Sequence, residues 1–253
     1  MEDLSHVSIV LVHPEIPENI GSVARAMKNM GLKELRLVNP VPYKRIETYA
    51  LAKKSRDIVD KALVYDDLHE ALEPFSFVVG TTQRVRGRHY PLYTPQEAVH
   101  EMKGIDKKNK IALVFGRESR GLTNEELRSC HIQSTIPTAI RQPAVNLAQS
   151  VMIYCYEMYR QMLDNAQVEV FTWDLAENRE IYHMYEHMES CLDAIEFQPR
   201  VDTKDFIDRF RRILGRVKLE RRDLKVFHKL FSEVEWALKQ RPHKEGEEEL
   251  VDS

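Results

Sequence analysis

The sequence lacks any apolar run of about 18 residues, the length that a helix needs to cross a bilayer. It contains only three cysteines, Cys130, Cys155 and Cys191, which are odd in number and too widely spaced for a disulfide framework. The first residues are acidic and lack the layout of a signal peptide. We therefore expect a soluble protein of the reducing cytoplasm with no membrane partner.

Several common active-site signatures are also missing. No G-x-G-x-x-G follows a strand-like segment, which excludes the usual dinucleotide fingerprint. There is no P-loop and no G-x-S-x-G elbow, which excludes two further classes of α/β enzyme site. The formal net charge is -3, so any binding of nucleic acid must come from local basic patches.

Short apolar runs alternate with helical patterns along the first 160 residues of the chain, and 43% of all residues are apolar. This alternation predicts an α/β fold with a mostly parallel sheet that has helices on both faces. The predicted strands are 7–12, 34–38, 62–65, 77–81 and 111–115, and the runs 7–12 and 111–115 have the apolar composition of buried strands.

The pattern becomes purely helical in the last third of the chain. Three helices are predicted at about 174–196, 203–215 and 219–239. We expect a catalytic domain, a linker, a small all-α domain and a disordered acidic tail. Their predicted bounds are 1–160, 161–172, 173–240 and 241–253.

Two neighbouring strands are followed by loops that can shape a pocket. The strand 111–115 leads into Gly116 and Gly121, which permit positive φ and close backbone approach to a ligand. Thr123 and Glu126 then predict a capping box. A second apolar segment is predicted to end at Ile136. Ligands of open α/β sheets bind outside the carboxyl ends of strands, so we expect a site here, although glycines that serve turns alone explain the same pattern.

The first predicted helix carries an arginine near the same edge of the sheet. Asn19 is suited to cap this helix, and Gly21 is expected to leave a shallow pit beside the guanidinium of Arg25. The planar donor fork of arginine suits a phosphate or a ribose oxygen. A surface arginine on an amphipathic helix is the alternative.

A pattern of possible metal ligands occurs farther along the chain. His183, Glu186 and His187 match H-x-x-E-H, and Cys191 lies one helical turn farther on. No strands typical of a zinc protease accompany them, so we expect an ordinary charged helix face and no metal.

Three segments together carry a family resemblance: NIGSVARAMKNMGL (19–32), LVFGRESRGLTNEEL (113–127) and IPTAIRQPAVNLAQSVMIYCYE (136–157). They resemble, in order, the motifs of SPOUT-class RNA 2′-O-methyltransferases of the TrmH-like branch, most closely the TrmJ family. The C-terminal helices resemble the TrmJ extension. The resemblance implies a SPOUT fold with a C-terminal deep trefoil knot, a homodimer and S-adenosylmethionine as cofactor.

The resemblance also implies roles for individual residues. Arg25 would be catalytic, and Asn19, Glu118 and Asn146 would shape the pocket. The cofactor contacts would be Thr81, Thr82, Gln83, Gly116, Ile136, Pro143, Ala144 and Val145. RNA phosphates would be bound by Arg84, Arg86, Arg88, Arg211, Arg212, Arg216, Arg221 and Arg222.

The implied reaction is methyl transfer to the 2′-hydroxyl of a pyrimidine at position 32 of the tRNA anticodon loop. A ribosomal RNA methyltransferase of the same family and a non-catalytic RNA-binding relative are the alternatives. A guanidinium stays protonated in proteins, so we expect Arg25 to bind the adjoining phosphate and lower the pKa of the hydroxyl. The chain has Ala144-Val145-Asn146 where the family usually has Ser-Leu-Asn. This departure argues against a serine-assisted mechanism and leaves the acceptance of uridine open.

Overall fold

The computed structural model describes residues 4–83, 91–139, 145–163, 174–199 and 202–240. Strands and helices alternate in these ranges up to residue 163. The strands are β1 (Val7–Val12), β2 (Glu34–Val38), β3 (Leu63–Tyr65), β4 (Phe77–Thr81), β5 (Leu92–Tyr93), β6 (Ile111–Phe115) and β7 (Ile132–Ser134). The helices are α1 (Pro17–Asn29), α2 (Ile46–Ala52), α3 (Arg56–Asp60), α4 (Leu68–Leu72), α5 (Pro95–Lys103), α6 (Asn124–Arg128), α7 (Leu147–Leu163), α8 (Asn178–Ala194), α9 (Thr203–Leu214) and α10 (Arg221–Lys239).

All seven described strands form one sheet in the order β3-β2-β1-β6-β4-β7-β5, and every neighbouring pair is parallel. The predicted α/β fold with a parallel sheet is confirmed. The long apolar runs were predictable because a parallel strand is covered on both faces. β7 ends at Ser134, short of the predicted Ile136, and β5 has only two residues.

Alternate residues of β1 face two apolar layers. Ile9 and Leu11 pack in a cluster with residues of α1, α5 and α7. Val10 and Val12 pack on the other face with residues of α4 and α6. The sheet is thus sandwiched between helices, and its carboxyl edge is left for the loops.

The start of α1 differs from the prediction. The helix begins at Pro17, whose fixed φ suits the first turn, and Ile16 is its N-cap. The prediction that Asn19 caps the helix is wrong, because Asn19 lies inside the first turn. The predicted pit at Gly21 is also wrong. A Cβ atom there would lie 2.1 Å from the carbonyl oxygen of Thr48, so Gly21 allows the backbones of α1 and α2 to touch.

The C-terminal helices α8, α9 and α10 pack around a cluster of their own, which includes Met184, Met188, Ile207 and Leu224. α7 extends to Leu163, three residues into the stretch predicted as a linker, and the predicted tail lies outside the described residues. No described helix is long and apolar enough to cross a membrane.

The H-x-x-E-H residues belong to α8. His183 lies 3.0 Å from Glu186, and His187 Nδ1 lies 2.7 Å from Nδ1 of His228 on α10. Within the described ranges, no group of three or more His, Cys, Asp or Glu side chains is placed to hold a metal ion.

Candidate functional site

A cavity of about 780 Å³ opens at the carboxyl ends of β4, β6 and β7. Its lining includes seven of the residues to which the family resemblance gives a role: Thr81, Thr82, Gln83, Gly116, Glu118, Ile136 and Val145. Pro143 and Ala144 lie outside the described residues. The structure therefore brings three separate stretches of the chain to one pocket, at the edge where parallel sheets bind ligands.

One wall of the cavity is the loop between β6 and α6. Gly121 has a φ of 67°, as its glycine predicts. Gly116 approaches the same loop, because a Cβ atom there would lie 2.1 Å from the carbonyl carbon of Gly121 and 2.2 Å from the nitrogen of Leu122. Gly116 thus permits a close approach to the protein's own backbone, and this contact keeps the loop compact.

The far end of this loop is fixed by an ion pair. Thr123 and Glu126 form the predicted capping box. Arg117 donates two hydrogen bonds to Glu126, of 3.0 and 2.9 Å. Burial raises the pKa of Glu126, but the hydrogen bonds from Arg117 and Thr123 outweigh it and leave that pKa below its ordinary value. Arg117 is therefore engaged in holding the loop.

The floor of the cavity was missed by sequence reasoning. The hydroxyl of Tyr154 on α7 donates to Ser134 Oγ at 2.7 Å, and Ser134 Oγ donates to the carbonyl of Tyr93 at 2.9 Å. Burial raises the pKa of Tyr154, so its phenol stays neutral. The ring of Phe115 packs against Tyr154 edge to face, with centroids 5.6 Å apart. These side chains form a rigid, uncharged floor.

The three residues expected to shape the pocket are joined by hydrogen bonds through Asn19. Glu118 accepts hydrogen bonds from the backbone N–H of Glu15 at 2.8 Å and of Ile16 at 3.3 Å, and from Asn19 Nδ2 at 2.8 Å. The carboxylate thus binds the backbone just before α1, and the N-cap of this helix, Ile16, has no side chain that can accept a hydrogen bond. Asn19 Oδ1 accepts from Asn146 Nδ2 at 3.0 Å.

Asn146 also caps α7, because its Oδ1 accepts from the backbone N–H of Ala148 at 2.9 Å and of Gln149 at 3.3 Å. A second set of hydrogen bonds, which sequence reasoning missed, joins the loops after β1 and β6. Glu15 accepts from the N–H and the Oγ of Ser119 at 3.0 and 2.9 Å. These hydrogen bonds hold the pKa of Glu15 below its ordinary value. The loops after β1 and β6 are thus bound to each other in both directions.

Arg25 does not line this cavity. Its side chain is exposed on α1, and it makes no hydrogen bond or ion pair with the rest of the described chain. It lies six residues beyond Asn19, which is about 9 Å along the helix axis. The guanidinium is therefore presented to solvent near the site.

The described arginines that were expected to bind RNA differ in their contacts. Arg84, Arg86 and Arg88 lie outside the described residues. Arg221 bonds to carboxylates within the helical region, and Arg222 bonds to Glu220 at 2.7 Å. The partners of Arg221 are Asp174, Glu177 and Glu180 at 3.3, 3.2 and 3.0 Å. Arg211, Arg212 and Arg216 instead line a small cleft beside the sheet.

Comparison with known proteins identifies the family. The family model of the SpoU rRNA methylases matches residues 6–156, and that of the C-terminal domain of the tRNA methyltransferase TrmJ matches residues 179–244. The tRNA (cytidine/uridine-2′-O-)-methyltransferase TrmJ of Photorhabdus laumondii is 34% identical over 242 residues, which cover 93% of this chain and 100% of the relative. The chain belongs to the TrmJ family of SpoU methylases.

Other TrmJ proteins support the same assignment. The tRNA (cytidine/uridine/adenosine-2′-O-)-methyltransferase TrmJ of Pseudomonas aeruginosa is 35% identical over 92% of this chain and 95% of its own. The crystal structure of TrmJ from Z. mobilis superposes with a TM-score of 0.77 at 27% identity, over 90% of this chain and 98% of that one. The predicted membership of the TrmJ family is confirmed.

Proposed function

We propose that the protein transfers a methyl group from S-adenosylmethionine to the ribose 2′-hydroxyl of a cytidine or uridine at position 32 of tRNA. The observation that carries this proposal is the relationship to TrmJ enzymes along more than nine-tenths of the chain, helical extension included. The extension favours tRNA over ribosomal RNA, because the family model that matches it is named for a tRNA methyltransferase.

The cavity suits the methyl donor in size and chemistry. Its volume of about 780 Å³ lies within the range of small-molecule sites. S-adenosylmethionine supplies a methyl group that is already activated on a sulfonium. The backbone after β4 and at Gly116 offers amides and carbonyls for its polar groups, and Ile136 and Val145 offer apolar surface. Glu118, Asn19 and Asn146 keep this surface in place through their mutual hydrogen bonds.

The proposal also includes a knotted chain, a homodimer and a cytoplasmic location. We infer a trefoil knot around β7 and α7, because β6 and β7 insert between strands that precede them in sequence. A homodimer is supported by exposed apolar side chains near α1, among them Ile16 at 43% and Ile46 at 85% exposure. We place the enzyme in the cytoplasm, where tRNA is modified.

The protein must align the reacting groups and stabilise the developing charge, because the methyl donor needs no further activation. Arg25 is the residue to which we assign this role. It is exposed and engaged by no described partner, so its guanidinium is available to an RNA phosphate or to a second copy of the chain. Two donors in a fixed fork would hold the phosphate and favour the alkoxide as it forms.

The Arg25→Lys variant is expected to reduce methyl transfer about 100-fold or more in single-turnover assays, because a point charge cannot replace the bidentate fork. The affinity for S-adenosylmethionine should not change, since Arg25 lies outside the cavity. Lys28→Gln is the matched control, on the same helix but paired with Asp57 at 2.6 Å. Near-normal turnover with unchanged tRNA affinity in Arg25→Lys would show that the bidentate role is wrong.

The function itself is tested with purified protein, S-adenosylmethionine and tRNA transcripts that carry C, U, A or G at position 32. We expect rapid methylation of the cytidine transcript, and a 2′-O-methyl group that maps to position 32. The rate with uridine reports whether Ala144, in place of the usual serine, narrows the substrate range. Methylation of ribosomal RNA fragments in preference to every tRNA, or failure to bind the donor, would overturn the proposal.

A further inference from the structure

The charged side chains that line the large cavity, among the residues that the structure describes, are Arg117, Glu118 and Arg120. All three belong to the loop between β6 and α6. Arg117 is engaged by Glu126, and Glu118 accepts three hydrogen bonds from the first turn of α1 and the residues just before it. Arg120 is exposed and forms no hydrogen bond or ion pair with any residue of the described ranges. Its guanidinium is therefore available to a ligand in the cavity.

The backbone on both sides of Arg120 is held in place. The N–H of Gly121 donates to the carbonyl of Arg117 at 2.8 Å and closes the turn. Ser119 donates from its N–H and its Oγ to Glu15, at 3.0 and 2.9 Å. Arg120 is thus carried by a fixed turn, and a ligand that binds its guanidinium has to restrict only the side chain.

The carboxylate of Glu15 does not pair directly with Arg120. The hydrogen bonds from Ser119 are the main reason that the pKa of Glu15 lies below its ordinary value, and the positive charge of Arg120 lowers it further. Both carboxylate oxygens of Glu15 accept from Ser119, so Arg120 acts on this carboxylate only at a distance. The five N–H donors of the guanidinium remain open to another acceptor.

A different part of the cavity is apolar. Ile136, Pro137, Val145 and Leu147 line it, and all four follow β7 in the chain. β4 lies between β6 and β7 in the sheet, so the loop after β6 and the chain after β7 begin two strand spacings, or roughly 10 Å, apart. The cavity therefore has a charged side and an apolar side.

S-adenosylmethionine is divided in the same way. Its adenine is flat and offers apolar faces, its sulfonium and its ammonium are positive, and its carboxylate is its single negative group. A guanidinium attracts the carboxylate and repels both cations, and its donor fork matches the two carboxylate oxygens. The charge pattern of the cavity thus favours the orientation in which the carboxylate points to Arg120 and the adenine lies on the apolar side.

We propose that Arg120 determines donor specificity by binding the carboxylate of S-adenosylmethionine, so that the cavity selects ligands with an intact amino acid. The inference rests on the proposed function for the identity of the donor. It assigns a contact to a residue that the family resemblance leaves without a role. The contact is the same before and during methyl transfer, so it contributes to donor binding and not to the rate of the chemical step.

The test compares Arg120→Gln with Lys110→Gln. Lys110 is exposed just before β6, at the end of the strand opposite to the cavity, so its replacement removes the same charge outside the site. Calorimetry on the full chain measures binding of S-adenosylmethionine, S-adenosylhomocysteine, decarboxylated S-adenosylmethionine and 5′-methylthioadenosine. The first two ligands carry the carboxylate and the last two lack it.

For Arg120→Gln we expect about tenfold weaker binding of the two ligands that carry the carboxylate, by the same factor for both. The two ligands without it should bind at least as tightly as they bind to the parent, which shows that the cavity is intact. Lys110→Gln should stay within about twofold of the parent for all four. Arg120→Lys should recover part of the lost affinity, because it keeps the charge but not the fork.

Steady-state methylation provides a second measurement. The KM for S-adenosylmethionine should rise about tenfold in Arg120→Gln while kcat stays within about twofold, because the contact stabilises the ground state and the transition state equally. A loss of kcat at unchanged KM would contradict a role in donor binding.

The remaining outcomes separate the inference from the proposed function. Equal donor affinities of Arg120→Gln and Lys110→Gln, with methylation intact, would overturn the inference alone. Equal weakening of all four ligands in Arg120→Gln would overturn the assignment to the carboxylate, and weaker tRNA binding at unchanged donor affinity would assign Arg120 to the RNA instead. A parent protein that binds the donor through Arg120 yet methylates no RNA would overturn the proposed function and leave the inference standing.

Discussion

Replacing Gly116 by alanine is expected to weaken S-adenosylmethionine binding at least 100-fold and to lower the free energy of unfolding by about 1 to 3 kcal/mol. The added methyl group would lie 2.1 Å from the carbonyl carbon of Gly121 and 2.2 Å from the nitrogen of Leu122. These are backbone atoms, so no side-chain rotation relieves the clash. The whole loop must move, and Glu118 and Ser119, which line the cavity, move with it.

Gly121→Ala is the matched control in the same loop. A Cβ atom at Gly121 meets no atom within 4 Å, and only its φ of 67° opposes the substitution. Strain of this kind costs about 1 to 2 kcal/mol. We therefore expect a comparable loss of stability but less than a tenfold loss of donor affinity, measured by calorimetry beside urea unfolding. Equal donor affinities in the two variants would show that the contact of Gly116 with the loop does not shape the cavity.

Lowering the pH from 6.5 to 4 is expected to reduce the free energy of unfolding by as much as about 3 kcal/mol through His131 alone. Burial lowers the pKa of His131 from 6.5 to about 4. The backbone N–H of Val78 donates to Nδ1 of His131. A proton on Nδ1 would turn this acceptor into a donor, and the hydrogen bond would be lost. The folded protein therefore resists protonation at this position.

The direction of the effect follows from proton uptake. Between pH 6.5 and 4 the unfolded chain binds a proton at His131 and the folded chain does not, so the stabilisation is complete above pH 6.5 and lost as the pH falls. His131→Asn keeps an acceptor near Val78 but does not titrate. Urea unfolding across this range should give a shallower pH dependence for His131→Asn than for the parent. His100→Asn, at an exposed position, should retain the parent slope. Identical slopes for all three proteins would contradict the assignment to His131.

The parts of the fold that were predictable are those fixed by local pattern. β1 and β6 were predictable because strands buried on both faces are almost entirely apolar, and Ser8 is the single polar residue in these two strands. The capping box of Thr123 and Glu126 was predictable because it needs only two residues three positions apart. β5 was not predictable, since a strand of two residues shows no periodicity.

The residues of the candidate site were predictable only where they belong to a family motif. Gly116 and Glu118 lie at the cavity, as their motif implied. The hydrogen bonds of Glu118 to the backbone before α1 join residues about 100 positions apart, which no local pattern reports. Gly21 was misjudged for the same reason, because the neighbour that requires a glycine is Thr48 on another helix. Tyr154 and Ser134 were missed because each is a single buried residue with no motif around it that marks its hydroxyl as part of a site.

The paired bonds between the loops after β1 and β6 have a thermodynamic consequence. Glu118 binds the start of α1, and Glu15 binds Ser119 in return, so a movement of the cavity wall would be transmitted to α1. If the methyl donor and the RNA bind as we propose, a donor that orders the wall would also restrict the helix that carries Arg25. The RNA would then lose less entropy on binding, and the gain in affinity would be the same whichever ligand binds first.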